Sequence, residues 1–78
     1  MRAHDDVERA IVLQLLRPDH DPRWRRAELM RALRHLPSLE VSKGIVRLDA
    51  HGVVERLGEE LWASRATRRL DELALIAV

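Results

Sequence analysis

The chain has 78 residues, a formal net charge of +1, 46% hydrophobic and 35% charged residues, and no cysteine. This length fits one small domain spanning residues 1–78, and the composition excludes a disordered polar tail and a disulfide-stapled fold. The longest apolar runs, such as residues 10–13, are too short to cross a bilayer, so no membrane partner is expected. Residues 1–6 are polar and do not open a secretory signal, which predicts a cytoplasmic location.

The first predicted helix begins at an N-cap on Asp5 or Asp6 and ends at about Arg17, because Pro18 follows. It carries more apolar side chains than one core-facing stripe can hold. The stripe toward the core is predicted to be Val7, Ile11 and Leu15, while other sides of the helix carry Val12, Leu13 and Leu16.

A second helix is predicted from Arg25 to Leu36, after a loop of turn-forming residues at 18–22. Trp24 precedes Leu29 by five residues, which is the spacing of a hydrophobic staple. Glu28 occupies the acidic position of a capping box, although Arg25 stands where Ser or Thr is usual. The start of this helix is therefore predicted to be imperfectly capped.

The third predicted helix has Ser38 as its N-cap and Gly52 as its C-terminal stop. Gly44 lies inside it, where glycine costs roughly 1 kcal/mol relative to alanine, and we expect it to permit a close helix crossing. The buried face of the helix is predicted to be Val41, Ile45 and Leu48.

Two β-type runs, residues 53–57 and 61–63, then surround Gly58 and Glu59, a Gly-X pair that suits a type II′ hairpin turn. Ser64 can cap a last helix. One side of that helix, predicted to face the core, carries Leu70, Leu73, Ala74 and Ala77. The apolar residues left over on the two terminal helices predict a homodimer interface formed by Leu13, Leu16, Leu75, Ile76 and Val78.

The predicted fold is mainly α with a short β-hairpin, in the order helix-helix-helix-hairpin-helix. This order resembles a winged helix-turn-helix domain. Residues 24–33 look like the first helix of the helix-turn-helix pair, and residues 48–56 look like the end of a recognition helix, its glycine cap and the first wing strand. Residues 57–63 are similar to a short wing. The resemblance is to MarR-like and ArsR-like transcription regulators, and it implies a DNA-binding regulator fold.

If the third helix, about 38–51, enters a major groove, the outward stripe of Lys43, Val46, Arg47 and Ala50 faces the bases. Arg47 has the fork that pairs with guanine, Lys43 can contact guanine or phosphate, and Val46 can touch a thymine methyl group. The expected phosphate contacts are Arg23, Arg25, Arg26 and Ser42. The predicted function is sequence-specific binding of double-stranded DNA in transcription regulation.

The distribution of charge also supports an alternative. Residues 18–36 carry five arginines against three acids, whereas the predicted wing tip carries Glu59 and Glu60, which phosphates repel. A winged-helix module that binds another protein, with no DNA binding of its own, is the second hypothesis.

The sequence shows no nucleophile with a base, no paired acids and no phosphate-binding loop of the kind that an enzyme needs. The four histidines are scattered, none at i, i+4 from another and none beside a cysteine, so no metal site and no cofactor is predicted. The tightest polar cluster, His20 between Asp19 and Asp21, is typical of a turn. Trp24 and Trp62 are each more typical of core cover than of ligand stacking. The sequence therefore predicts a binding protein and not an enzyme.

Overall fold

The computed structural model describes residues 3–76. Along them lie α1 (Ala3–Leu15), β1 (Trp24–Arg25), α2 (Arg26–Ala32), α3 (Ser38–Ala50), β2 (Val54–Leu57), β3 (Glu60–Ala63) and α4 (Arg65–Glu72). The strands form one antiparallel sheet in the order β1-β3-β2. A mainly helical domain with a β-hairpin is thereby confirmed. None of the helices within the described residues is long and apolar enough to cross a lipid bilayer.

Strand β1 is an element that the sequence did not predict. Trp24 pairs with Leu61, and Arg25 pairs with Glu60. Arg25 is extended, with φ −79° and ψ 143°, so α2 begins one residue later than predicted. The helix ends at Ala32, four residues before the predicted end at Leu36. The backbone N–H of Arg25 donates to Glu28 Oε1 at 3.0 Å, so Glu28 performs the expected half of a capping box. Trp24 is buried as part of the sheet.

The hairpin formed by β2 and β3 is close to the prediction. Leu57 pairs with Glu60 across a two-residue turn, and Gly58 has φ +61° while Glu59 stays at negative φ. Positive φ at the first central residue only is the requirement of a type II′ turn. Gly52 also has positive φ, at +73°, just after the C-terminal end of α3.

Helices α1 and α3 cross closely at Gly44. A Cβ placed on Gly44 would lie 2.8 Å from Ile11 Cδ1 and 3.3 Å from Val7 Cγ1. No real side chain fits at that separation without movement of its neighbours. The prediction that Gly44 permits a helix crossing is therefore confirmed, and Ile11 fills the space that a side chain at position 44 would take.

The burial of Leu16 on α1 removes this residue from the predicted dimer surface. Val12 and Leu16 belong to the domain's own core, and Leu16 is only 8% exposed. Leu13 is half-buried. Buried side chains therefore occupy a wider arc of α1 than the predicted stripe, because other elements pack around this helix from several directions. The core consists of Val7, Ile11, Val12, Leu15, Leu16, Trp24, Leu29, Leu33, Val41, Ile45, Leu48, Val54, Leu61 and Ala63.

Hydrogen bonds hold helix α4 against the rest of the domain. Ser64 caps it as predicted, with Oγ accepting from the Thr67 N–H at 3.2 Å. The Thr67 hydroxyl donates to the Val53 carbonyl oxygen at 2.8 Å, and Arg68 Nη2 donates to the Leu15 carbonyl oxygen at 3.4 Å. These contacts turn the Thr67 and Arg68 side of the helix inward.

The apolar side of α4 consequently faces outward. Leu70 and Leu73, predicted to face the core, are 44% and 49% exposed, so that prediction is wrong. Leu75 is exposed, and Ile76 is half-buried against the core. Ala77 and Val78 lie outside the described residues. Leu70, Leu73 and Leu75 therefore form an exposed apolar patch on the outward side of α4 and just after it.

Candidate nucleic-acid interface

The outward side of α3, a helix of 13 residues, is exposed beside the hairpin. Val41, Ile45 and Leu48 are buried as predicted. At 100° per residue, the opposite side carries Leu39, Lys43, Val46 and Ala50, all of them exposed, and these four residues define the exposed face of α3. This face is narrow, with one cation among small and apolar side chains. A helix face with small side chains can enter a major groove.

Arg47 does not lie on the exposed face of α3, where the sequence placed it. Its Nε donates to Glu8 Oε2 at 2.8 Å, and the two side chains are only 29% and 24% exposed. Arg47 Nη2 is buried without a hydrogen-bond partner, 3.7 Å from the position of a Cβ on Gly44. The long side chain leans toward α1 because a carboxylate lies there. Arg47 therefore links the two helices that cross at Gly44.

The predicted phosphate contacts separate into two groups. Arg26 Nη2 donates to Ser42 Oγ at 2.7 Å, which brings together two of the four predicted residues at the junction of α2 and α3. Arg25, the third predicted contact, directly precedes Arg26 in the sequence, and its side chain is exposed. The backbone N–H of Arg26 also donates to the Glu59 carbonyl oxygen at 2.8 Å and so connects α2 to the hairpin turn.

Arg23, the fourth predicted phosphate contact, precedes β1 and packs against the hairpin. Its guanidinium carbon is 4.4 Å from the centre of the Trp62 ring, and Nη1 is 3.5 Å from Glu60 Oε1. Arg23 therefore contacts Trp62 and Glu60 of β3, whereas Arg26 and Ser42 contact each other.

The hairpin adds Arg56 and the turn residue Glu59 to this region. Arg56 Nε donates to Asp49 Oδ2 at 3.0 Å and ties β2 to the last turn of α3. Asp49 lies seven residues before Arg56, so this ion pair joins two different elements. Glu59 is exposed at the turn and Leu57 precedes it with its side chain in solvent. The tip therefore exposes the acidic Glu59, as the sequence indicated, together with the apolar side chain of Leu57.

His20 fastens the loop before β1 to α2. Its ring stacks on Trp24 with 3.7 Å between ring centres, Nδ1 lies 2.5 Å from the Asp21 carbonyl oxygen, and Nε2 lies 3.1 Å from Glu28 Oε2. Because both ring nitrogens face acceptors, the doubly protonated imidazolium suits the site best. The Asp21 carbonyl and then Glu28 raise the pKa of His20 above its ordinary 6.5, and the Arg25 N–H and then His20 lower the pKa of Glu28. Within the described residues, no three His, Asp or Glu side chains are grouped to hold a metal ion.

We expect the His20 contact to make stability fall as the pH rises above neutrality. A group with a raised folded pKa contributes stability that is fully present below its unfolded pKa and is lost as the pH rises through the folded value. Urea unfolding from about pH 5 to about pH 8 should show this decrease, and His20→Gln should flatten it. His35→Gln, a change at an exposed histidine, is the control. An unchanged pH profile in His20→Gln would show that the contact contributes nothing.

Comparison of the chain with models of protein families, with curated proteins and with solved structures gives no match in any of the three.

Proposed function

We propose that the chain is a winged helix-turn-helix domain that binds double-stranded DNA in a sequence-specific manner and regulates transcription. The observation that carries the proposal is the chain order α1-β1-α2-α3-β2-β3-α4 combined with the strand order β1-β3-β2. In this arrangement α2 and α3 form the helix-turn-helix pair, and β2 and β3 form the wing.

The proposed DNA contacts are assigned to exposed side chains and to the Arg26–Ser42 pair. Lys43 and Val46 on the exposed face of α3 contact bases, and Arg26 with Ser42 binds a phosphate at the start of α2. Arg25 is exposed and adds a second phosphate contact. Arg47 holds α3 against α1 and orients the recognition helix without touching a base.

Fluorescence anisotropy with labelled duplexes tests the proposal. Contacts from Arg25 and Arg26 neutralise about two phosphates, so the slope of log K against log salt should be near −2, at about 0.9 per phosphate, and steeper by about 1 if Lys43 also contacts a phosphate. A random duplex should bind weakly, and fragments selected from a random pool should bind much more tightly. Absence of binding to either at low salt contradicts the proposal.

A protein-interaction module is the second candidate function, and one observation favours it. Leu39 and Val46 on α3 and Leu57 on the hairpin are large apolar side chains exposed to solvent, and Glu59 beside Leu57 repels phosphate. Exposed apolar side chains with an acidic tip suit a protein surface better than a nucleic-acid backbone. Complete lack of duplex binding would favour this candidate.

We further propose that two copies associate through α4. Ala66, Leu70 and Leu73 lie at i, i+4 and i+7 and form an exposed apolar stripe, with Leu75 beyond it. A two-fold axis at the stripe pairs it with itself, so one surface supplies both halves of the interface. A second chain is the occupant that also compensates the small core of a 78-residue domain.

Light scattering measures this association. The native chain should have twice the mass of the 9.1 kDa monomer, and Leu70→Gln should yield monomers because it places an amide in the centre of the stripe. Leu57→Gln changes an exposed leucine on the hairpin and should leave the dimer intact. A native chain that remains monomeric at high micromolar concentration contradicts the proposal.

A further inference from the structure

A second surface lies between the hairpin and α4, away from α2 and α3. It is an open groove of about 640 Å³ whose lining residues are Glu55, Trp62, Ala63, Arg65, Arg68, Arg69 and Glu72. That volume falls in the range of sites that hold a small ligand or a short peptide segment. No residue of the exposed face of α3 contributes to it.

The groove has a fixed aromatic wall. Trp62 is half-buried, its Nε1 donates to Glu55 Oε1 at 3.1 Å, and the Arg23 guanidinium carbon lies 4.4 Å from its ring centre. The hydrogen bond and the cation–π contact hold the indole in one orientation before any ligand arrives. A pre-oriented tryptophan offers a large apolar contact area at a small cost in conformational entropy.

Three arginines line the groove together with this indole. Arg68 is anchored through Nη2 to the Leu15 carbonyl oxygen at 3.4 Å, and Arg69 makes an exposed ion pair with Glu72 at 3.3 Å. Arg65 is exposed and forms no ion pair with any residue from 3 to 76. The lining therefore carries three cations against two carboxylates, and one of those carboxylates, Glu55, already accepts from Trp62.

We infer that this groove binds an acidic peptide segment in which an apolar side chain is flanked by Asp or Glu. The apolar side chain packs on Trp62, and the carboxylates pair with Arg65 and Arg69. Trp and Arg are the residue types that dominate the binding energy of protein interfaces. The inference is independent of DNA binding by α3.

The distribution of charge selects a peptide over a nucleotide. Glu55 and Glu72 line the groove with the arginines, so the lining carries both signs of charge. A nucleoside triphosphate concentrates its negative charge in one place and meets these carboxylates. Carboxylates in an extended peptide are spaced by roughly 3.5 Å per residue and can match the arginines while avoiding the acids.

Anisotropy with a fluorescein-labelled peptide of Asp-Glu-Leu repeats tests the inference. The native chain should bind it saturably, and Arg65→Ala and Trp62→Ala should each weaken binding at least tenfold. Arg31→Ala, which removes an exposed arginine from α2 outside the groove, is the matched control and should leave affinity unchanged. A peptide with Asn and Gln in place of Asp and Glu should not bind.

Three outcomes would overturn the inference. They are no binding of the acidic peptide, an equal loss of affinity in Arg31→Ala and Arg65→Ala, and displacement of the peptide by ATP at lower concentration than by unlabelled peptide. Because Arg65 is exposed, the thermal melt of Arg65→Ala should remain close to that of the native chain, so this variant carries the test even if Trp62→Ala, which removes a half-buried ring, melts at a lower temperature. The DNA-binding assay is run on the same variants, and unchanged duplex affinity there separates this inference from the proposed function.

Discussion

Replacing Ile11 with alanine is expected to lower the free energy of unfolding by about 3 to 5 kcal/mol, at the upper end of the range for buried isoleucine. Ile11 is fully buried, and its Cδ1 atom occupies the place where a side chain on Gly44 would lie. The wall opposite is therefore helix backbone, which cannot move in to fill a cavity as a side chain could. Natural domains are stable by roughly 5 to 15 kcal/mol, and one this small belongs near the lower limit.

Urea denaturation followed by circular dichroism measures this effect, provided that a partly unfolded baseline in Ile11→Ala is fitted explicitly. The matched control is Leu57→Ala, which shortens an exposed side chain on the hairpin and should change stability by less than about 0.5 kcal/mol. A loss below about 1 kcal/mol in Ile11→Ala would show that α1 does not pack against Gly44 as described.

Several features fixed by a few neighbouring residues were predictable from the sequence, although the N-caps predicted at Asp5 or Asp6 and at Ser38 were wrong, because these residues lie inside α1 and α3. Gly58 and Gly52 have the positive φ that their positions in a hairpin turn and after a helix require. Ser64 caps α4, and the periodic face of Val41, Ile45 and Leu48 is buried. In each case the determining interaction lies within about one turn of backbone, so the local pattern contains the information.

Strand β1 was not predictable in the same way. Two residues carry no periodicity, and Trp24 and Arg25 are extended because Leu61 and Glu60 lie opposite them across the sheet. Their pairing depends on chain segments far apart in sequence. The spacing of Trp24 and Leu29 matched a helix staple, which is a local interpretation of a residue whose position is set by tertiary contacts.

The orientation of long or ambiguous side chains was likewise set by distant partners. Arg47 was placed on an outward stripe by its helical angle, but Glu8 on another helix draws its guanidinium inward. On α4, the leucines suggested the buried side, yet the Thr67 hydroxyl and its bond to the Val53 carbonyl decide which side faces the core. A helical projection shows the angle of a Cβ atom and omits these hydrogen bonds.

The DNA proposal makes its sharpest prediction at Lys43. Lys43→Ala should weaken duplex binding about tenfold, because it removes the one cation on the exposed face of α3. If Lys43 contacts a phosphate, the loss should be uniform across sequences and the salt slope should become shallower by about 1. If it contacts guanine, preference at one base pair should relax by roughly 1–3 kcal/mol while the preference elsewhere remains.

Arg47→Ala provides the contrast that tests the assignment of roles. Because Arg47 is half-buried against Glu8, its loss should lower the free energy of unfolding by about 1–3 kcal/mol, since a partly buried carboxylate loses its partner. Sequence preference in the folded fraction should be retained. Arg9→Ala, at an exposed arginine on α1, controls for loss of positive charge alone. Unchanged affinity in Lys43→Ala, or a relaxed preference with full stability in Arg47→Ala, would move the base contact from Lys43 to Arg47 and contradict the roles proposed here.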